Sequence, residues 1–154
     1  MYGYLNLFKD IFMPVNILLC EDNPGDIYLI ENSLSQSTAD YSIDYILTGG
    51  EVMGYLRQEA QYQYASRPDI VILDLNLPGR HGFEILEEIK ADPLLKAMPV
   101  VILSSSKAKQ DIFNSYRLQA SCYIVKPSDL QAFLSAIRQI ENFWFDCVEL
   151  PQLE

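Results

Sequence analysis

Short apolar runs separated by polar, turn-forming stretches divide the chain. VNILLC (15–20) is continuous and apolar, the pattern of a strand buried on both faces. EDNPGD interrupts it, and Ile27, Ile30 and Leu34 then recur at helical spacing, with Asn23 or Asp26 available to open the helix. YSIDYIL (41–47) alternates, as a strand near a sheet edge does, and Thr48 opens a helix through TGGEVMGYLRQEAQYQY. DIVILD (69–74) is a third strand, and Phe83, Leu86 and Ile89 mark the helix after it. MPVVILS (98–104) and SCYIVK (121–126) are the fourth and fifth strands, on either side of a helix in KQDIFNSYRLQ. Pro127 stops the last strand, and Ser128 is placed to cap a long helix running through Phe143 or beyond. Five strands alternating with five helices predict an α/β fold, a doubly wound parallel sheet covered on both faces. Right-handed crossovers restrict its topology, and a site is expected at the carboxyl ends of the strands.

Length and composition narrow the picture. The 154 residues, 49% of them hydrophobic, suit one domain with a sizeable core. A formal charge of -10 argues against nucleic acid and against an anionic membrane surface, both of which need a basic face. No apolar run is long enough to span a bilayer. Cys20, Cys122 and Cys147 match neither a zinc spacing nor a disulfide framework, so a reducing cytoplasm is expected. MYGYLNLFKDIFMP lacks the plan of a signal peptide.

The strand ends carry the chemistry. Glu21 and Asp22 follow the first strand, Asp74 ends the third, Ser104 the fourth and Lys126 the fifth. Taken singly, each has an ordinary reading as a cap, a turn residue or a solvated charge. Together they put three carboxylates, a hydroxyl and an ammonium on one rim. Three carboxylates in one cleft repel one another, so a cation is needed to keep all of them ionised. Hard oxygen ligands suit Mg²⁺. Magnesium beside a carboxylate and a lysine suits phosphoryl transfer, with an aspartate as nucleophile. The NLPG turn after Asp74 leads the chain away and leaves the carboxylate accessible. His81, the one histidine, reads as an exposed loop residue, and Cys20 and Cys122 as small buried hydrophobes.

The motifs LLCEDN, ILDLNLPG, PVVILSS and YIVKP, with the spacings between them, resemble those of a response-regulator receiver domain over nearly the whole chain. That resemblance implies the flavodoxin-like strand order 2-1-3-4-5. It implies a Mg²⁺ site formed by Glu21, Asp22, Asp74 and the Asn76 backbone carbonyl. It makes Asp74 the residue phosphorylated by a histidine kinase and Lys126 the partner of the phosphoryl group. Ser104 would move to the phosphoryl group, Tyr123 would rotate inward behind it, and the Lys126–Pro127 bond would be cis. LNLPG, EEIKADP, YIVKP and IENFW are similar to the single-domain regulators that partner phytochrome-type kinases. His81 stands where the family usually has an acidic residue, and Ser104 where threonine is commoner.

The expected organisation is an N-terminal extension (1–14), a receiver domain (15–147) and a short tail (148–154). Output is then expected through protein contact, with no attached output domain. In a phosphohydrolase with an aspartyl nucleophile, a second carboxylate would stand at position 76, where this chain has Asn76. A receiver that binds partners without phosphorylation would not need the full acidic, hydroxyl and lysine set. Leu130, Phe133, Leu134, Ile137 and Trp144 form a helical stripe expected to pack on the sheet. Ala132, Ala136, Ile140 and Phe143 supply further apolar positions, from which a homodimer along the last helix is expected. The leader's Tyr2, Tyr4, Phe8 and Phe12 are candidates to cover part of that surface.

Overall fold

The computed structural model describes residues 14–153, so the aromatic leader and its expected contacts lie outside the described residues. The elements in order are β1 (Val15–Cys20), α1 (Pro24–Leu34), β2 (Tyr41–Ile46), α2 (Gly49–Leu56), β3 (Ile70–Leu73), α3 (Gly82–Ala91), β4 (Val100–Ser104), α4 (Lys109–Arg117), β5 (Cys122–Val125) and α5 (Leu130–Glu141). The strands form one parallel sheet in the order β2-β1-β3-β4-β5. This is the expected doubly wound, flavodoxin-like fold.

The alternation of side chains along each strand explains why the strands read as unbroken apolar runs. Leu18, Cys20, Val71, Leu73 and Ile102 face α2 and α3, where Val52, Leu56, Ile85 and Ile89 close one core. Ile17, Leu19, Ile70, Ile72 and Val101 face the other way, onto Ile30 and Leu34 of α1 and Phe133 and Ile137 of α5. Helix α4 buries only Ser115, whose hydroxyl donates back to the Asp111 carbonyl at 2.8 Å. Among the described residues no helix is long and apolar enough to cross a membrane.

Several local expectations change. Helix α5 is capped by Asp129, whose Oδ2 accepts from the Ala132 amide at 2.8 Å, and not by Ser128. Thr48 stands at the start of α2, but its hydroxyl donates to Glu51 Oε2 instead of capping a backbone amide. Leu130, expected on the buried stripe, is 51% exposed, while Phe133, Ile137 and Ile140 are buried. The first turn of α5 starts at the carboxyl rim, where strand ends rather than a sheet face lie beneath it. After Glu141 the helix widens into a π-helical turn, Asn142–Cys147. Among the described residues every peptide bond is trans, including the Lys126–Pro127 bond expected to be cis.

One glycine sets the shape of the rim. A Cβ on Gly82 would meet Leu75 Cα at 2.7 Å and the Asp74 carbonyl at 3.1 Å, so α3 begins directly against the backbone that carries Asp74. The Gly82 amide donates to the Leu75 carbonyl at 2.8 Å across that contact. Gly82→Ala is expected to destabilise the fold by about 2 kcal/mol, since backbone atoms cannot step aside as a side-chain end can. Urea denaturation measures this, and an unchanged midpoint would remove the packing argument.

Candidate functional site

Glu21 is the first residue beyond β1 and is 1% exposed. One of its oxygens accepts from the Asp22 and Asn23 amides at 3.1 and 3.0 Å, and the other from Lys126 Nζ at 2.5 Å. Asp74 follows β3, and its amide continues the sheet by donating to the Cys20 carbonyl at 3.0 Å. Its Oδ1 accepts from the Asn76 amide at 3.1 Å and its Oδ2 from Lys126 Nζ at 2.8 Å. Lys126 follows β5, where its amide extends the ladder to the Ser104 carbonyl at 2.8 Å. Three strand ends thus hold this cluster with ordinary sheet hydrogen bonds.

Burial by itself would push the Lys126 ammonium down. Its hydrogen bonds to Asp74, Glu21 and Asp26 outweigh that and hold it above its ordinary value. Burial also pushes the Glu21 carboxyl up, with the Asp74 charge adding to the effect and Lys126 opposing it. The site is therefore over-supplied with negative charge, as the sequence suggests. Oxygens of Glu21, Asp22 and Asp74 lie within 4.8 Å of one another, so this group can hold a divalent cation. Asp22 is exposed and Glu21 and Asp74 are buried, which places the group at the mouth of the rim.

The remaining expected residues sit nearby in two steps. Ser104 is fully buried at the end of β4, and its Oγ accepts from the Ser106 amide at 3.4 Å. Tyr123, half-buried on β5, donates its hydroxyl to the Ser106 carbonyl at 2.9 Å. The link between Ser104 and Tyr123 therefore runs through Ser106, a residue for which the sequence carries no signal. Ser106 Oγ also donates to Asp111 Oδ2 at 2.5 Å, in the first turn of α4. Asn76 is exposed beside Asp74. His81 is exposed and caps α3, with its Nδ1 accepting from the Phe83 amide at 3.1 Å.

Asp26 is the second residue the sequence left without a chemical role. The sequence offers it as a helix cap, but Asn23 is the cap, accepting from the Asp26 amide at 3.0 Å. The Asp26 side chain instead accepts from Lys126 Nζ at 2.9 Å. Its signal in the sequence is its place in the first turn after EDN, which keeps it at the same rim.

The sheet order, the acidic group and the lysine between the strand ends agree with a match of residues 17–138 to the family model for the response regulator receiver domain. The chain belongs to the response-regulator receiver family. It is 39% identical over 138 residues to the response regulator Rcp1 of Synechocystis sp., a match covering 90% of this chain and 94% of that protein. The solved structure of a phosphorylated cyanobacterial phytochrome response regulator, RcpA, is 46% identical and covers 91% of this chain and all of its own, with a TM-score of 0.88. The Mn²⁺-bound form of Rcp1 has the same TM-score, at 39% identity, over 90% of this chain and 100% of that one. As a receiver, the chain is a signalling component of a two-component phosphorelay.

The residues from which a homodimer is expected have different surroundings in the structure. Ile140 is 2% exposed and belongs to the α1/α5 core, Ala136 is half-buried, and Phe143 is 50% exposed. Trp144 packs on the core as expected, and Phe143 meets it edge to face with ring centroids 5.0 Å apart. A groove of about 480 Å³ runs between the edge strand β5 and the end of α5, lined by Cys122, Ile124, Ile140, Phe143 and Trp144 among others.

Proposed function

We propose that Asp74 accepts a phosphoryl group from a phosphohistidine of a phytochrome-type histidine kinase. The observation that carries this reading is Asp74 Oδ2 lying 2.8 Å from Lys126 Nζ, within a carboxylate group suited to a divalent cation. A carboxylate oxygen of Asp74 forms its bond to phosphorus as the bond to the donor imidazole nitrogen breaks. Lys126 offsets charge on the transferred group, a role for a positioned ammonium where catalysis is mostly charge neutralisation. Glu21, Asp22 and Asp74, with the Asn76 backbone carbonyl, would hold Mg²⁺, which supplies further neutralisation when bound. The kinase class rests on similarity to the cyanobacterial phytochrome response regulator RcpA. The three free cysteines are in keeping with a cytoplasmic setting.

The test is incubation with acetyl phosphate and Mg²⁺, followed by intact mass. One added phosphoryl group that disappears in chelator is expected. No uptake, or equal uptake in chelator, counts against the reading.

Ser104 and Tyr123 serve as the switch in this reading, coupled through Ser106 to α4. A ligand shifts such an equilibrium only through contacts that differ between the two states, and a hydrogen bond between the Ser104 hydroxyl and a phosphoryl oxygen exists only when phosphate is present. Ser104→Ala is expected to accept phosphate while its phosphorylation-induced gain in partner affinity or dimerisation falls by about fivefold or more. A full response in that variant rules out this coupling route.

Output through a homodimer along α5 is the matching reading for partner contact. Exposed Phe143 beside the apolar groove at the β5 edge supports it. Phe143→Asp is expected to give a monomer in sedimentation at micromolar concentration. A wild type that stays monomeric with and without phosphate, or a variant that stays dimeric, refutes it.

A further inference from the structure

The Lys126 ammonium has three N–H donors, and three carboxylates take them: Glu21 at 2.5 Å, Asp74 at 2.8 Å and Asp26 at 2.9 Å. Two of these partners have another commitment. Glu21 and Asp74 belong to the group that can hold a cation, and Asp26 does not. Asp74 also loses its charge at the reacting oxygen once a phosphoryl group is esterified there. Asp26 is the one carboxylate free to keep hold of Lys126 throughout.

Its local surroundings explain why it is available. An acidic residue three positions after a helix cap ordinarily reaches back to the cap's own amide. Here the Asn23 amide is already taken by Glu21 Oε1 at 3.0 Å. The Asp26 side chain has no such local partner to claim it, and it bridges to Lys126 across 100 positions of sequence. It stands in the first turn of α1, at the positive end of the helix dipole. It is also the most exposed of the three partners, at 25% against 2% and 9% for the side chains of Glu21 and Asp74. It therefore holds the ammonium from the solvent side.

We propose that Asp26 is a positioning residue for phosphoryl uptake: it fixes the Lys126 ammonium beside Asp74 while Glu21 and Asp74 are engaged by cation and phosphoryl group. This role rests on Asp74 being the phosphoacceptor. Releasing the Asp26 hydrogen bond lets the lysine head move off, which lowers the rate of the step more than it weakens the approach of the donor.

The experiment compares wild type, Asp26→Asn and Asp26→Glu with acetyl phosphate in saturating Mg²⁺. The rate at saturating donor is expected to fall about tenfold in Asp26→Asn, which keeps a side-chain oxygen but loses the charge that makes the hydrogen bond to Lys126 a strong one. The donor concentration for half-maximal rate should stay the same or fall, since a negative charge has been removed from the path of an anionic donor. Asp26→Glu should recover most of the lost rate. Mg²⁺ affinity, read by calorimetry, should be retained in Asp26→Asn. The Lys126 ammonium signal in lysine-labelled protein should shift and exchange faster with water, a readout that needs no phosphorylation. Uptake by Asp26→Asn as fast as wild type or faster overturns the role. So does a loss of Mg²⁺ affinity that accounts for the slower uptake, which would make Asp26 part of the cation site. A wild type that takes up no phosphoryl group overturns the phosphoacceptor reading itself, and this role with it.

Discussion

Asp74→Asn is expected to take up no phosphoryl group from acetyl phosphate under conditions in which wild type is labelled to near completion. No other carboxylate at the rim is placed to substitute. Glu21 has one oxygen held by two backbone amides and the other by Lys126. Asp22 belongs to the cation group but is not on Lys126, and Asp26 is on Lys126 but outside the cation group. Asparagine has the shape of aspartate but no anionic oxygen to attack phosphorus, and its side-chain oxygen still accepts from the Asn76 amide. Lys126 keeps Glu21 and Asp26 as partners. The variant should therefore fold with a melting temperature no lower than wild type, because one of several crowded negative charges is gone. Intact mass and thermal unfolding together decide the matter. Stoichiometric labelling of a folded Asp74→Asn protein would sink the assignment, and unfolding of the variant would show that the carboxylate is structural.

Lys126→Met should have the largest effect on stability. The change leaves buried Glu21 and Asp74 without their shared cation. Removing one partner from a buried ionic group costs roughly 3 kcal/mol, because the charges left behind are uncompensated. For a domain of this size that lowers the melting temperature by roughly 6–12 °C. The loss should depend on pH in a stated direction. Burial already raises the Glu21 carboxyl, and removing Lys126 takes away what opposes that rise. A carboxyl raised in the folded state contributes stability that is present below its unfolded value and lost as pH rises through the folded value. The variant should therefore be more stable at about pH 5 than at about pH 8. Saturating Mg²⁺ should recover much of the difference at the higher pH, since a cation can be held by the same carboxylates. A variant as stable as wild type at both pH values, or one indifferent to Mg²⁺, would contradict the charge balance described for this rim.

The sequence by itself determined the sheet and the composition of its rim. Apolar runs ending on Glu21, Asp74, Ser104 and Lys126 can be read without coordinates, because a strand buried on both faces is mostly apolar until it reaches the edge of the sheet. A parallel sheet then brings those ends to one side whatever the details of packing. The structure decided what periodicity and local propensity leave open. Ser128 and Asp129 are adjacent and both able to cap, and the choice of Asp129 follows from where α5 begins once Phe133 and Ile137 are seated in the core. Leu130 and Ile137 share one stripe, but only Ile137 has sheet beneath it. Ser106 lies on a loop with no periodicity, so its place between Ser104, Tyr123 and α4 had no pattern to reveal it. The pairing of Asp26 with Lys126 depended on Glu21 taking the Asn23 amide. The Tyr123–Ser106 and Lys126–Asp26 contacts are tertiary facts: each joins segments that only the folded sheet brings together, and no local pattern encodes that.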